Sequence, residues 1–133
     1  MGIRREGSEI GSRPQDEGDE MGVTTGDFAS PDESMTFEHG RVQIVKIGDC
    51  TIRSGTFEPG WRWSENVKPI AKTDSCQTHH VGCTLSGRLR VETDDGEEAE
   101  LLPGQPYEIQ PGHDGWVVGD EAWISVEFSG SVT

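Results

Sequence analysis

The stretch "TLSGRLRVETDDGEEAELLPGQPYEIQPGHDGWVV", residues 84–118, decides the architecture. Within it, "RLRVE" (88–92) and "EEAEL" (97–101) flank Asp94-Asp95-Gly96, a strong hairpin signal. Arg88 and Arg90 then face Glu98 and Glu100 as a solvated cross-strand charge pairing. "LPGQ" (102–105) and "QPGH" (110–113) are Pro-Gly turns that isolate the short run "PYEI" between them. Working outward, "AWISVEF" (122–128) alternates Trp123, Ser125 and Glu127 with Ile124, Val126 and Phe128. Upstream lie "THHVGCTLSG" (78–87), "CTIRSGTF" (50–57) and "RVQIVKI" (41–47), the last with Val42, Ile44 and Lys46 on one face and Gln43, Val45 and Ile47 on the other. No segment carries a helical stripe; "SENVKPIAK" (64–72) has room for one turn before Pro69 stops it. Short strands at roughly ten-residue spacing, punctuated by Gly and Pro, predict an all-β sandwich or barrel.

The chain has 133 residues and a net charge of −14, which divides evenly about Glu38: three arginines against ten acids before the division, eight basic residues against fifteen acids after it. Residues 1–26 are rich in Gly, Ser, Asp and Glu and lack apolar periodicity, so they are read as a disordered acidic tail, with the folded domain spanning 27–133. Lysine occurs only at 46, 68 and 72. An acidic, lysine-poor surface repels nucleic acid and anionic membranes, so neither is expected as a partner. Such a surface points to a halophilic source, the alternative being an ordinary acidic protein with an acidic tail. Cys50, Cys76 and Cys83 form no paired framework, and neither a signal peptide nor a membrane-spanning run is visible. The expectation is a cytoplasmic protein with reduced thiols.

These blocks together resemble the cupin superfamily. The order of strand, Gly turn, hairpin, Pro-Gly, short strand and second Pro-Gly is its pattern. The blocks "PGWRWS", "VKPI", "DSCQTHH" and "PGHDGWVVGDE" resemble its small single-domain members across about residues 27–130. The resemblance implies a jelly-roll β-barrel, pairing into a homodimer, and often one metal held by an H-x-H-x(3–4)-E motif and a later His. With the "LSG" turn as anchor, the Glu position falls on His80, the second His position on Cys76 and the first on Asp74. The later His position falls near Gly115, with His113 two residues before it. The usual set of three His and one Glu is therefore absent.

Strand alternation sends His80, Gly82 and Thr84 to one face and His79, Val81, Cys83 and Leu85 to the other. The anchor turns His80 inward. His80 and His113, aided by Cys76, Asp74 or a bulged His79, are candidate ligands for one divalent transition metal, Zn, Fe, Ni or Cu, and a thiolate tilts the choice toward zinc or soft copper. The same residues also suit a metal-free polar pocket. Cys76 beside His80 is a candidate nucleophile that lacks a nameable orienting group. His113 and Asp114 are candidates for proton transfer, with Asp114 either orienting the imidazole or capping the turn. Trp61, Trp63 and Trp116, with Thr84 and Tyr107, are candidate walls of a ligand pocket, or else core packing. Arg62, on the opposite face from Trp61 and Trp63, is expected to pair with an acid such as Glu65.

Two functional readings follow. One is a small cupin-like protein that holds a divalent metal and a small organic ligand; if it is an enzyme, the resemblance implies an oxygenase or isomerase. The other is a metal-free ligand-binding or sensor module without catalysis.

Overall fold

The computed structural model describes residues 22–130. The chain order is β1 (Glu33–Phe37), β2 (Gly40–Ile47), β3 (Cys50–Phe57), α1 (Trp63–Asn66), α2 (Lys68–Ala71), β4 (His80–Ser86), β5 (Arg88–Thr93), β6 (Glu98–Leu101), β7 (Pro106–Ile109), β8 (His113–Val118) and β9 (Trp123–Gly130). A six-stranded sheet in the order β1-β2-β3-β9-β4-β7 faces a three-stranded sheet in the order β6-β5-β8. All pairings are antiparallel. This is the all-β, jelly-roll architecture expected from the turn pattern.

The core lies between the inner faces. Trp61, Trp63, Leu89, Val91, Leu101, Ile109, Val117 and Trp123 form it, with Phe57 and Tyr107 packed against them. On β5 the alternation is complete: Leu89 and Val91 are buried, while Arg88 and Arg90 pair with Glu98 and Glu100 at 2.9–3.3 Å across the hairpin. Exposed pairs of this kind contribute about 0.2–1 kcal/mol each, so apolar burial holds the hairpin down. On β4, Gly82 and Thr84 are buried and Val81 and Leu85 exposed, the expected division. The hydroxyl of Thr84, which has no solvent exposure, accepts a 3.1 Å hydrogen bond from the Trp123 indole N–H.

Three local expectations need correction. "SENVKPIAK" forms two successive single turns rather than one. Pro69 sits in the first turn of α2, where its missing N–H costs nothing, so it opens a helix instead of stopping one. Arg62 pairs with Asp114 at 3.1 Å, not with Glu65. The expected tail of residues 1–26 falls mostly outside the described residues. Residues 22–26 have no regular structure, and Gly26 packs against the Val45 and Ile47 side chains on the outer face of β2. Among the described residues no helix is long and apolar enough to cross a membrane.

Candidate functional site

The segment joining α2 to β4 crosses the end of the barrel and carries Cys76. Backbone bonds fix it there: Cys76 N–H donates to the His113 carbonyl at 2.7 Å, and Gly112 N–H donates to the Cys76 carbonyl at 2.7 Å. Cys76 and His113 thus become cross-strand neighbours although they stand 37 positions apart in sequence. Nearby, the Ser75 hydroxyl bonds to Asp94 at 2.9 Å, which ties the segment to the β5–β6 turn. His80 opens β4 and faces inward, where its ring meets that of His113 edge-on with centroids 5.2 Å apart.

Cys76, His80 and His113 bring one ligand atom each within 4.8 Å of one another. Both imidazoles are held from behind. His80 Nδ1 lies 2.8 Å from Glu127 Oε1, and His113 Nδ1 lies 2.8 Å from the Gln110 carbonyl. A carbonyl only accepts, so Nδ1 of His113 carries the proton and its Nε2 lone pair is free. The Glu127 carboxylate likewise takes the Nδ1–H of His80, whose Nε2 lies 3.6 Å from Cys76 Sγ. Bonds of about 2.0 Å to nitrogen and 2.3 Å to sulfur, at a tetrahedral angle, separate two zinc ligands by about 3.5 Å. The Cys76–His80 separation matches that value, and the cluster could hold one metal ion.

Glu127, on β9, is the functional residue that sequence reasoning missed. Its Oε2 accepts from the Tyr107 hydroxyl at 2.6 Å, and Arg53 lies 3.8 Å from Oε1. The space for it comes from Gly82, its cross-strand partner on β4. A Cβ at position 82 would run into the Val126 carbonyl and into the Glu127 side chain at 2.7 Å. Electrostatics follow from this packing. Burial opposes ionisation of Glu127, yet His80, Tyr107 and Arg53 together hold it below the usual carboxylate range. Burial would also raise the Cys76 thiol, but the His113 and His80 rings beside it bring it down to about 6. Burial would lower His80, but Cys76 and Glu127 raise it to about 9. Tyr107 is pushed upward by burial and by the neighbouring carboxylate. The two shifts run in the same sense, each favouring the charged form of its partner: thiolate for Cys76 and imidazolium for His80.

The cluster lies in the wall of a cavity of about 230 Å³ whose other lining is mostly apolar, including Phe37, Phe57, Trp61, Trp63, Leu89 and Trp123. Of the candidate wall residues, Trp61 and Trp63 line it. Thr84 does not; its hydroxyl is spent on Trp123. Tyr107 stands behind Glu127 and reaches the cavity only through that carboxylate. Trp116 lies on the outer face of β8, under the Arg62 guanidinium at 4.2 Å.

Two candidate ligands and one proton-transfer candidate lie elsewhere. His79 is exposed and pairs with Glu108 at 2.8 Å, because alternation turns it away from His80. Asp74 is exposed and stands outside the cluster. Asp114 follows His113 on a strand and therefore points to the opposite face. There it accepts from Arg62 Nε at 3.1 Å and from the Ser64 N–H at 3.0 Å, anchoring α1. It caps and pins; it does not orient His113.

No protein-family model and no curated protein matches this chain. Solved structures do. The chain is similar to a protein of unknown function from Rhizobium leguminosarum bv. viciae (TM-score 0.56, 21% identity, covering 84% of this chain and 100% of that one). It is similar to the Cupin_2 domain of an XRE family transcriptional regulator from Enterobacter cloacae (TM-score 0.51, 14% identity, 72% and 100% covered). It is also similar to a cupin-like protein from Thermotoga maritima (TM-score 0.50, 18% identity, 72% of each chain covered). The chain has the cupin fold; at these identities the likeness speaks for the fold alone.

Proposed function

We propose that the protein binds one divalent transition metal through Cys76, His80 and His113, and that a small organic molecule enters the apolar cavity to meet it. The observation that carries this reading is the convergence of a thiol and two imidazoles whose Nδ1 atoms are both engaged from behind, leaving both Nε2 atoms toward the cluster. One thiolate and two imidazoles suit zinc best among the divalent metals. Three protein ligands leave a position open, as in a reactive or ligand-exchanging centre rather than a closed structural one. Bound there, zinc would supply Lewis acidity to an oxygen in the open position. The chain's own residues do the rest. Glu127 fixes the His80 ring, Gln110 fixes that of His113, and the aromatic walls exclude water.

The test is elemental analysis of untagged protein beside a His80→Ala/His113→Ala double variant. Near-stoichiometric metal in the first and none in the second supports the reading. Absence of metal from both, after reconstitution with zinc, iron, nickel and copper, overturns it and favours the metal-free ligand-binding module.

A second reading has its own observation. Cys76, His80 and Glu127 form a relay of thiol, imidazole and carboxylate at 3.6 and 2.8 Å, the orienting group absent from sequence reasoning. In metal-free protein the Cys76 thiolate would attack an electrophilic carbonyl carbon, and imidazolium His80 would protonate the leaving group. Rapid, Cys76-specific alkylation by iodoacetamide that is slowed in His80→Ala supports it. An alkylation rate equal to that of Cys50 and Cys83 refutes it.

A further inference from the structure

The cavity's polar inventory narrows what it can hold, and this step rests on the metal reading above. Arg53 and Glu127 lie 3.8 Å apart and cancel in charge. Arg53 also donates to the Ser129 hydroxyl at 3.3 Å, and both oxygens of Glu127 are taken by His80 and Tyr107. The Nδ1 atoms of His80 and His113 are engaged as well. Among the described residues, the charged side chains of the wall are therefore paired, Glu127 through hydrogen bonds and Arg53 at ion-pair distance from it. Among the described residues, the anchors left for a guest are the metal position among Cys76, His80 and His113 and one neutral donor, the buried Trp61 indole N–H, which has no partner of its own.

Charge sets the next limit. A divalent ion with one thiolate and two neutral imidazoles carries one net positive charge, while Arg53 and Glu127 add none. An uncompensated charge beside apolar walls is costly, so a guest bearing a single negative charge at the metal is favoured. A second charge would find no free counter-charge on these walls, and a set of hydroxyls would find too few partners beside the single Trp61 N–H to replace its hydration. Size sets the last limit. A cavity of about 150 Å³ accommodates benzene, and the cavity here is about 230 Å³, room for one ring with a short substituent. Its walls are aromatic: Phe57 lies 4.6 Å from the Trp61 ring and 5.6 Å from the Trp123 ring, centroid to centroid.

We propose that the cavity takes a single-ring apolar molecule bearing one anionic oxygen group, a carboxylate or a phenolate, with its ring among the aromatic side chains and its oxygen at the open metal position. Polyols, sugar acids and dianions are excluded by the same walls.

The test titrates zinc-loaded protein, with zinc content measured on the same sample, against benzoate, benzamide, phthalate and gluconate. Binding is read by calorimetry and tryptophan fluorescence. Cobalt-substituted protein adds a visible spectrum that reports exchange of the fourth ligand. Benzoate is expected to bind at least about ten-fold more tightly than the other three and to change the cobalt spectrum, and zinc removal should weaken it by at least about ten-fold. Phenolate replaces benzoate as the better probe if phenol changes the spectrum and benzoate does not. Equal binding of benzamide or gluconate overturns the proposal, as does failure of benzoate and phenol on protein that holds its zinc; failure to hold zinc at all instead marks the metal reading as the one that fell. Gly115→Leu is the paired variant. A Cβ at Gly115 meets only ordinary contacts, at 3.5 Å from the Arg90 carbonyl and 3.6 Å from Leu89, so the longer side chain fills the cavity. It should retain zinc and lose benzoate; retention of benzoate at wild-type affinity also overturns the proposal.

Discussion

Replacing Glu127 by Gln tests the site where it is least obvious, because Glu127 touches no ligand atom of the proposed metal. The substitution keeps the shape and removes the charge. In the native site one carboxylate oxygen holds the Nδ1–H of His80 at 2.8 Å and the other receives the Tyr107 hydroxyl at 2.6 Å. The side chain of Glu127 is only 13% exposed, so water screens these contacts little. A Gln oxygen can still accept from His80, and the Tyr107 hydroxyl can rotate to accept from the amide. The hydrogen-bond count survives, while the electron donation that makes His80 a stronger ligand does not. Loss of such an outer carboxylate costs about 10–100-fold in metal affinity, or roughly 1.4–2.7 kcal/mol. Tyr107→Phe, which leaves the carboxylate in place but removes one of its partners, should cost less than Glu127→Gln. Zinc affinity is measured by competition with a chromophoric chelator, with near-ultraviolet circular dichroism as the check on folding. A natively folded Glu127→Gln protein that binds zinc as tightly as wild type would refute the reasoning that His80 is tuned from behind.

Other outcomes follow from the same geometry. Zinc must displace the proton that His80 holds up to about 9, whereas the Cys76 proton is already lost above about 6. From this pair, affinity should rise about ten-fold per pH unit between those values and more steeply below them; chelator competition across the range checks the slope. Asp114→Ala should destabilise the protein by about 1–3 kcal/mol in urea, since it frees Arg62 and the Ser64 N–H, yet leave zinc affinity nearly unchanged. His113→Ala should do the reverse to affinity, and a loss of metal in Asp114→Ala would restore the His113–Asp114 couple. Gly82→Ala forces a methyl group into the Val126 carbonyl and the Glu127 stem. It should lower the urea midpoint by an amount equivalent to about 1–3 kcal/mol and weaken zinc binding together with stability.

The division between what the residues disclosed and what they hid follows from one rule applied at different ranges. Period-2 alternation is local, so it correctly separated His80, Gly82 and Thr84 from His79, Val81 and Leu85. The same rule, applied to adjacent residues of β8, already separates His113 from Asp114; sequence adjacency there suggested a couple that the strand forbids. Cys76 was legible as a thiol four residues before His80 and as a position in a family pattern, but not as a neighbour of His113. What brings it to His113 is a backbone bridge between a crossing loop and a strand, for which no local signal exists.

Glu127 is the most instructive omission. The alternation of β9 put Glu127 on the same face as Trp123 and Ser125, and a carboxylate on the buried face of a strand demands a partner. That demand was readable from "AWISVEF" alone. The identity of the partner was not, because Gly82 and Glu127 are 45 positions apart in sequence and only their register across β4 and β9 brings the carboxylate beside His80. A glycine two residues after an inward histidine and a glutamate on the inward face of the last strand are each unremarkable. Together they seat a buried charge behind a ligand. The physical signal in this chain was therefore an unpaid electrostatic debt on one strand and a vacancy on another, and the sheet order joins them.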